Sequence, residues 1–122
     1  MARKPKVTTS KLDTLFSLIM RSKGKCDFCG KSRHVAVLQC LHGFSRRYRG
    51  TRWEEDANFC LCSGCHVMFT YDPIAWDNWM RAVWGDEKYW EVRRRAQAIT
   101  KPDKQAIYER LKARLAELED AG

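Results

Sequence analysis

The chain has 122 residues, a formal net charge of +8, five tryptophans, six cysteines and 44% hydrophobic residues. This length and composition are typical of one domain with a modest core. No apolar run is long enough to cross a bilayer, and the stretch LDTLFSLIM is not followed by a cleavage site. We therefore expect a cytoplasmic protein that has neither a signal peptide nor a membrane partner.

The positive charge is concentrated in the first part of the chain. Residues 1–70 contain 13 Lys and Arg against 5 Asp and Glu, whereas residues 71–122 contain 10 of each. A localised basic excess favours a polyanionic partner, most simply nucleic acid. The alternative is a solubilising surface, although such surfaces usually mix the two signs of charge.

The N-terminal elements follow from charge and helical periodicity. Residues 1–8 are basic without apolar periodicity, which predicts a flexible arm that contacts phosphates. A helix follows, with Ser10 as its cap and Gly24 at its end. Its apolar residues recur at helical spacing, and we expect them to pack on the core: Leu12, Leu15, Phe16 and Ile19.

The middle of the chain predicts a strand, a loop, a strand and a helix. Residues 34–42 alternate in the manner of a β-strand, and residues 58–61 predict a short returning strand. The stretch 43–57 between them predicts a long ordered loop, and loops of this length are usually functional or disordered. The segment 62–71 then predicts a short helix.

The last third of the sequence predicts three helices. Asp72 and Pro73 start the first, Gly85 ends it, Asp86 caps a second to about residue 99, and Pro102 opens a third to about residue 119. Four tryptophans at helical positions are expected in the core: Trp76, Trp79, Trp84 and Trp90. Trp53, in the loop, either stacks on DNA or packs to anchor the loop.

Four of the six cysteines form two C-x-x-C pairs, and 32 residues separate the pairs. Two such turns supply the four thiolates of a tetrahedral zinc site, which we assign to Cys26, Cys29, Cys62 and Cys65. An iron–sulfur cluster and disulfides are the alternatives. Cys60 either competes as a ligand or, like Cys40, is a small buried apolar residue.

Three further residues follow in order, His42, Asn58 and His66. Together with the cysteine pairs they form a series, QCLH-x3-RR, TRW-x4-N and LC-x2-CH, that resembles the HNH endonucleases. The sequence is most similar to small phage-type members with two C-x-x-C pairs, such as the NinG-like recombination nucleases. The resemblance spans residues 9–85 and implies an α+β fold with a small ββα-metal core, an N-terminal helix and a C-terminal helical extension over residues 86–122.

The resemblance implies hydrolysis of DNA phosphodiester bonds. In this family pattern His42 is the general base, Asn58 either holds His42 or binds a catalytic Mg²⁺ or Mn²⁺ ion, and His66 ligates that ion. The residue types suit this chemistry, because a neutral histidine can take a proton from water. Loop arginines can clamp the DNA backbone, and we assign this role to Arg46, Arg47, Arg49 and Arg52.

Two positions depart from the family pattern. Leu41 and Thr70 occupy places where many relatives carry a further metal ligand. The catalytic ion therefore has few protein ligands, unless Asp72 or Glu55 completes its coordination.

The implied role is recombination or genome processing for a phage or mobile element in the host cytoplasm. One site per chain cuts one strand, so cutting both strands takes a homodimer or two encounters, and other phage proteins are further candidate partners. A zinc-ribbon-like module that binds nucleic acid without cutting it is one rival. The other is a protein-binding zinc adaptor.

Overall fold

The computed structural model describes residues 6–121, so the first five residues of the predicted arm lie outside the described part of the chain. Two 3-10 turns, Val35–Val37 and Glu55–Ala57, each precede a strand. The α+β class predicted from the sequence is confirmed. The elements are α1 (Thr9–Arg21), β1 (Leu38–His42), β2 (Asn58–Cys62), α2 (Ser63–Tyr71), α3 (Pro73–Trp84), α4 (Asp86–Gln97) and α5 (Lys104–Ala121).

The two strands form an antiparallel pair that positions the functional residues. His42 lies opposite Asn58, and Cys40 lies opposite Cys60. The loop 43–57 joins the strands, and α2 begins directly after β2. Helix α2 contacts both strands, so His66 is brought back beside β1. The predicted order of strand, loop, strand and helix is therefore present.

Helix α1 begins slightly before the predicted position. The hydroxyl of Thr8 accepts a hydrogen bond of 3.1 Å from the Lys11 backbone N–H, so Thr8 is the N-cap and the assignment of Ser10 as cap was wrong. Ser10 instead lies in the first turn, where its carbonyl accepts from Thr14. Of the predicted apolar face, Leu12, Phe16 and Ile19 are buried and Leu15 is half-buried, and the helix packs against β1 and α5.

Strand β1 is shorter than the sequence pattern indicates. Residues 35–37 form a 3-10 turn because the His34 Nδ1 accepts from the Ala36 backbone N–H, and this local bond replaces a strand partner. The facing strand has only five residues, and its last residue, Cys62, pairs with Leu38. Val35 and Val37 consequently remain exposed.

The apolar residues form two clusters. In the first, Leu12 and Phe16 of α1 pack with Trp53 of the loop and Leu111 of α5. The second is aromatic and joins β2, α2, α3 and α4 around Phe59, Phe69, Trp76, Met80 and Tyr89, with Trp79 and Trp84 packed against it. The hairpin and its loop are thus supported by helices from both ends of the chain.

Trp53 and Trp90 differ in how far they are buried. Trp53 is only 2% exposed, and its indole N–H donates to Asp13, so it anchors the loop. Trp90 is 42% exposed, and its assignment to the core was wrong. Tyr89 beside it faces the core instead, because adjacent helical residues point in different directions.

The C-terminal helices largely follow their predicted signals. The Asp72 carboxylate accepts from the Ala75 backbone N–H at 3.0 Å, which caps α3 as expected. Gly85 has a φ of 80° and both ends α3 and caps α4, so Asp86 lies in the first turn rather than at the cap. Asp103 caps α5 just after Pro102. Over residues 6–121, no helix combines the length and apolarity needed to span a membrane.

Candidate functional site

The two C-x-x-C pairs meet in space. The four Sγ atoms of Cys26, Cys29, Cys62 and Cys65 all lie within 4.8 Å of one another, and those of Cys29 and Cys62 are 3.9 Å apart. A tetrahedral zinc–thiolate site requires sulfur–sulfur distances of about 3.8 Å. The cluster is therefore close to the size that a metal ion such as zinc requires, and the predicted grouping of these four cysteines is confirmed.

Backbone groups around the cluster favour thiolates at two positions. Burial by itself would raise the pKa of Cys26, but hydrogen bonds from the backbone at Cys29, Cys62 and Phe28 lower that pKa to about 7. The backbone N–H of Cys65 lowers the pKa of Cys62. Since metals bind the thiolate form, these donors prepare the site for a cation.

The remaining two cysteines lie outside this cluster. Burial raises the pKa of Cys40 to about 12 and that of Cys60 to about 11, so both remain neutral thiols. Cys60 is fully buried, and its backbone N–H donates to the Asp27 carboxylate while its carbonyl accepts from the Asp27 N–H. Of the two roles left open for Cys60, the buried apolar residue fits this geometry.

A cleft of about 480 Å³ lies where α1, β1, the loop and α2 converge. His42 at the end of β1 and His66 in the first turns of α2 both line it, with Arg46 of the loop. The structure thus brings together two histidines that are far apart in the sequence.

The His42 ring is held in one orientation. Its Nε2 lies 3.1 Å from the backbone carbonyl oxygen of Arg52. A carbonyl only accepts, so Nε2 carries the proton and the lone pair of the neutral ring is on Nδ1. Burial lowers the pKa of His42 below 6.5, which keeps the ring neutral at pH 7. His42 therefore has the protonation state of a general base.

His66 is oriented by a side chain of β1. Its Nδ1 hydrogen-bonds to the side-chain oxygen of Gln39. Because that oxygen accepts, the lone pair of a neutral His66 is on Nε2 and can ligate a cation. Among the described residues, the cysteine cluster is the one group of three or more His, Cys, Asp or Glu side chains close enough to share an ion. Within this part of the chain, the residues that line the cleft therefore form no cluster of three or more such ligands.

Asn58 is buried beneath the loop and does not line the cleft. Its side-chain oxygen accepts from the Gly43 N–H at 3.0 Å, and its nitrogen donates to the carbonyls of Thr51 and Glu54 at 2.9 and 2.8 Å. Thr51 directly precedes Arg52, whose carbonyl binds His42. Of the two roles that the resemblance leaves open, this geometry favours holding His42 in place over binding an ion.

The loop arginines divide into two groups. Arg46 lines the cleft, and Arg47 and Arg49 are exposed on the same loop. Arg52 instead binds both carboxylate oxygens of Asp13, at 3.0 and 2.7 Å. The geometry therefore gives Arg52 an anchoring role, in contrast to the predicted phosphate contact.

The two candidates for completing the coordination of a catalytic ion lie elsewhere. Asp72 caps α3, and Glu55 pairs with Arg114 at 2.8 Å. Neither residue lines the cleft. Thr70, at a position where many relatives carry a further metal ligand, donates its hydroxyl proton to the backbone carbonyl of His66.

Sequence reasoning missed the residues that α1 contributes. Asp13, Ser17 and Arg21 line the cleft wall opposite β1. Their four-residue spacing places them in one row on a helix beside the apolar face, which is the signal that could have found them.

Comparison of the chain with protein-family models, with curated proteins and with solved structures gave no match.

Proposed function

We propose that the chain is a metal-dependent DNA endonuclease or nickase of the HNH type. One observation carries this proposal: His42 and His66 line a single cleft together with Arg46, and the hydrogen bond from the His42 Nε2 leaves Nδ1 as the basic atom. The ordered His42, Asn58 and His66 series and the adjacent cysteine cluster support it. Structural zinc is the ion we propose for that cluster.

In the proposed reaction, His42 Nδ1 takes a proton from a water molecule in the cleft. The water oxygen bonds to phosphorus while the bond to the 3′-oxygen breaks, and the leaving oxygen is protonated from solvent. The Arg52 carbonyl stabilises the imidazolium that forms, because it accepts the Nε2 proton. Asn58 keeps this carbonyl in place through its bond to Thr51.

His66 Nε2, with water and substrate phosphate, would hold Mg²⁺ or Mn²⁺ in the cleft. When bound, such an ion supplies counter-charge for the phosphoryl and leaving oxygens. The side chain of Gln39 keeps His66 in the tautomer suited to this task.

The proposed substrate is DNA with little intrinsic sequence preference, because the phosphate contacts proposed for the loop arginines carry no sequence information. One site cuts one strand at a time. A role in recombination or genome processing of a phage or mobile element agrees with the resemblance in the sequence.

Plasmid nicking tests the proposal. Zinc-loaded protein is incubated with supercoiled plasmid in Mg²⁺, Mn²⁺ or EDTA, beside His42→Ala and His34→Ala variants. The exposed His34 is the matched control, because it lies outside the cleft. We expect metal-dependent nicking that falls by about 100-fold or more in His42→Ala, in keeping with the loss of a general base, and is unchanged in His34→Ala.

The rival is a module that binds nucleic acid without cutting it. If wild-type protein binds DNA and cuts no form of it, the rival replaces the nuclease. Arg47→Ala adds a measurement on binding: we expect weaker affinity and a salt slope reduced by about one.

A further inference from the structure

Helix α1 contributes a row of polar residues to the cleft. Asp13, Ser17 and Arg21 face β1, while their neighbours Leu12 and Phe16 are buried in the core. Helix α1 lies outside the sequence series that indicates catalysis. Its presence in the cleft wall therefore requires a separate explanation.

The guanidinium of Arg21 is held in a defined orientation. Its Nε donates to the Ser17 hydroxyl at 3.0 Å and to the Ser17 carbonyl at 3.3 Å, and Nη1 donates to the Val35 carbonyl at 3.4 Å. All these partners are uncharged, so they fix the side chain without neutralising it. A pre-oriented arginine loses less conformational freedom when it binds a ligand.

The charge of the cleft is positive. Asp13 is the one carboxylate among its lining residues, and Arg52 already pairs with it. Within residues 6–121, neither Arg21 nor Arg46 belongs to any ion pair. With His42 neutral, two arginines remain without a counter-charge around the same space.

We propose that Arg21 of α1 and Arg46 of the loop form a phosphate seat in the cleft, which binds the non-bridging oxygens of a phosphodiester beside His42. Two guanidinium forks suit the oxygens of a tetrahedral phosphate. The catalytic part of this inference rests on the proposed nuclease function, whereas anion binding by the seat does not. Ser17 is a positioning residue, since it acts through Arg21.

Four variants test the seat in the zinc-loaded full chain. Arg21→Ala removes the fork, Arg21→Lys keeps the charge but loses the fork, and Ser17→Ala removes the orienting hydroxyl. Arg33→Ala is the control, because Arg33 is exposed and does not line the cleft. Circular dichroism and melting temperature establish folding, and if Arg21→Ala is unfolded the comparison uses Arg21→Lys and Ser17→Ala.

Two readouts are measured. Inorganic phosphate without Mg²⁺ is titrated by NMR through the His42 and His66 ring signals, and we expect affinity to fall about 10-fold in Arg21→Ala. Plasmid nicking gives kcat and KM. We expect kcat/KM to fall about 100-fold in Arg21→Ala and about 10-fold in Arg21→Lys, with a smaller loss in Ser17→Ala and none in Arg33→Ala.

The outcomes separate this inference from the proposed function. If folded Arg21→Ala binds phosphate and nicks like wild type, the inference is overturned. If wild type does not cut DNA but its phosphate affinity depends on Arg21, the nuclease fails and the anion seat stands. If Arg33→Ala loses as much as Arg21→Ala, the effect is general surface charge and the seat is rejected.

Discussion

The Nε2 atom of His42 lies 3.1 Å from the backbone carbonyl oxygen of Arg52. Two buried or partly buried side chains fix the segment that carries this carbonyl. The side-chain nitrogen of Asn58 donates to the backbone carbonyl of Thr51, and Asp13 of α1 accepts hydrogen bonds from the side chains of Arg52 and Trp53. The orientation of His42 therefore depends on residues from β2 and from the N-terminal helix.

The pH dependence of nicking should follow His42. Burial lowers the pKa of His42 below 6.5, so the neutral base predominates at pH 7 and is lost only as the pH falls through that lowered pKa. We expect the kcat/KM profile to have an acid limb below 6.5, and NMR titration of His42 should give a matching midpoint. An acid limb above 6.5 would contradict the assignment of His42 as base.

The His42 imidazole should also make the free energy of unfolding depend on pH. Between the lowered folded pKa of His42 and 6.5, the unfolded chain binds more protons than the folded chain. The contribution of His42 to the free energy of unfolding should therefore increase as pH rises through this window and level off above it. Urea unfolding of wild type and His42→Ala across pH measures the difference between their free energies of unfolding. If burial of the neutral ring has no effect, this difference should not change with pH.

Asp13→Asn should lower the stability of the loop 43–57 and lower the pKa of His42. Burial would raise the pKa of Asp13, but hydrogen bonds from Arg52 and Trp53 lower it, so its contribution to stability is lost as pH falls below 3.8. We expect a cost of about 1 kcal/mol at pH 7, because the site is partly exposed.

The Asp13 charge also raises the pKa of His42, so Asp13→Asn should move the acid limb to lower pH. Asp120→Asn is the control, since Asp120 is exposed near the end of α5. A variant that is less stable but has an unchanged His42 titration would show that Asp13 has a purely structural role.

Asn58→Ala should destabilise the protein through its three lost hydrogen bonds. The variant removes the side-chain partner of three backbone groups: the N–H of Gly43 and the carbonyls of Thr51 and Glu54. We expect this loss to cost about 1–3 kcal/mol. Urea unfolding measures this cost, and Asn78→Ala on the exposed face of α3 is the control. If Asn58→Ala instead kept full stability and raised only the Mg²⁺ concentration required for nicking, Asn58 would be a metal ligand.

Cys29→Ser should release zinc and unfold much of the chain. Structural zinc in small modules contributes on the order of 10 kcal/mol to folding, so removing one ligand is costly. Metal content by mass spectrometry and circular dichroism measure both effects. Cys40→Ser is the control, because Cys40 lies outside the cluster. A stable Cys29→Ser variant with full zinc content would refute the assignment.

Local signals in the sequence predicted the cysteine cluster and the order of the central elements. Turn chemistry and C-x-x-C spacing act over a few residues, so the thiol pairs and the Asp72 cap were predictable. The start of β1 was not, because strand length depends on the partner strand. Trp90 was misassigned for a similar reason: which side of α4 is buried depends on what packs against it.

The sequence by itself determined which residues are available for chemistry: four thiols in two turns, two histidines and a basic loop. Only the tertiary structure decided how they are used. It buried Asn58, paired Arg52 with Asp13, and placed Arg21 in the cleft with His42 and His66. The physical reason is that the partners of these side chains lie on other segments of the chain. The loop folds over β2 and surrounds Asn58, and the packing of α1 against the two strands supplies Asp13 and Arg21.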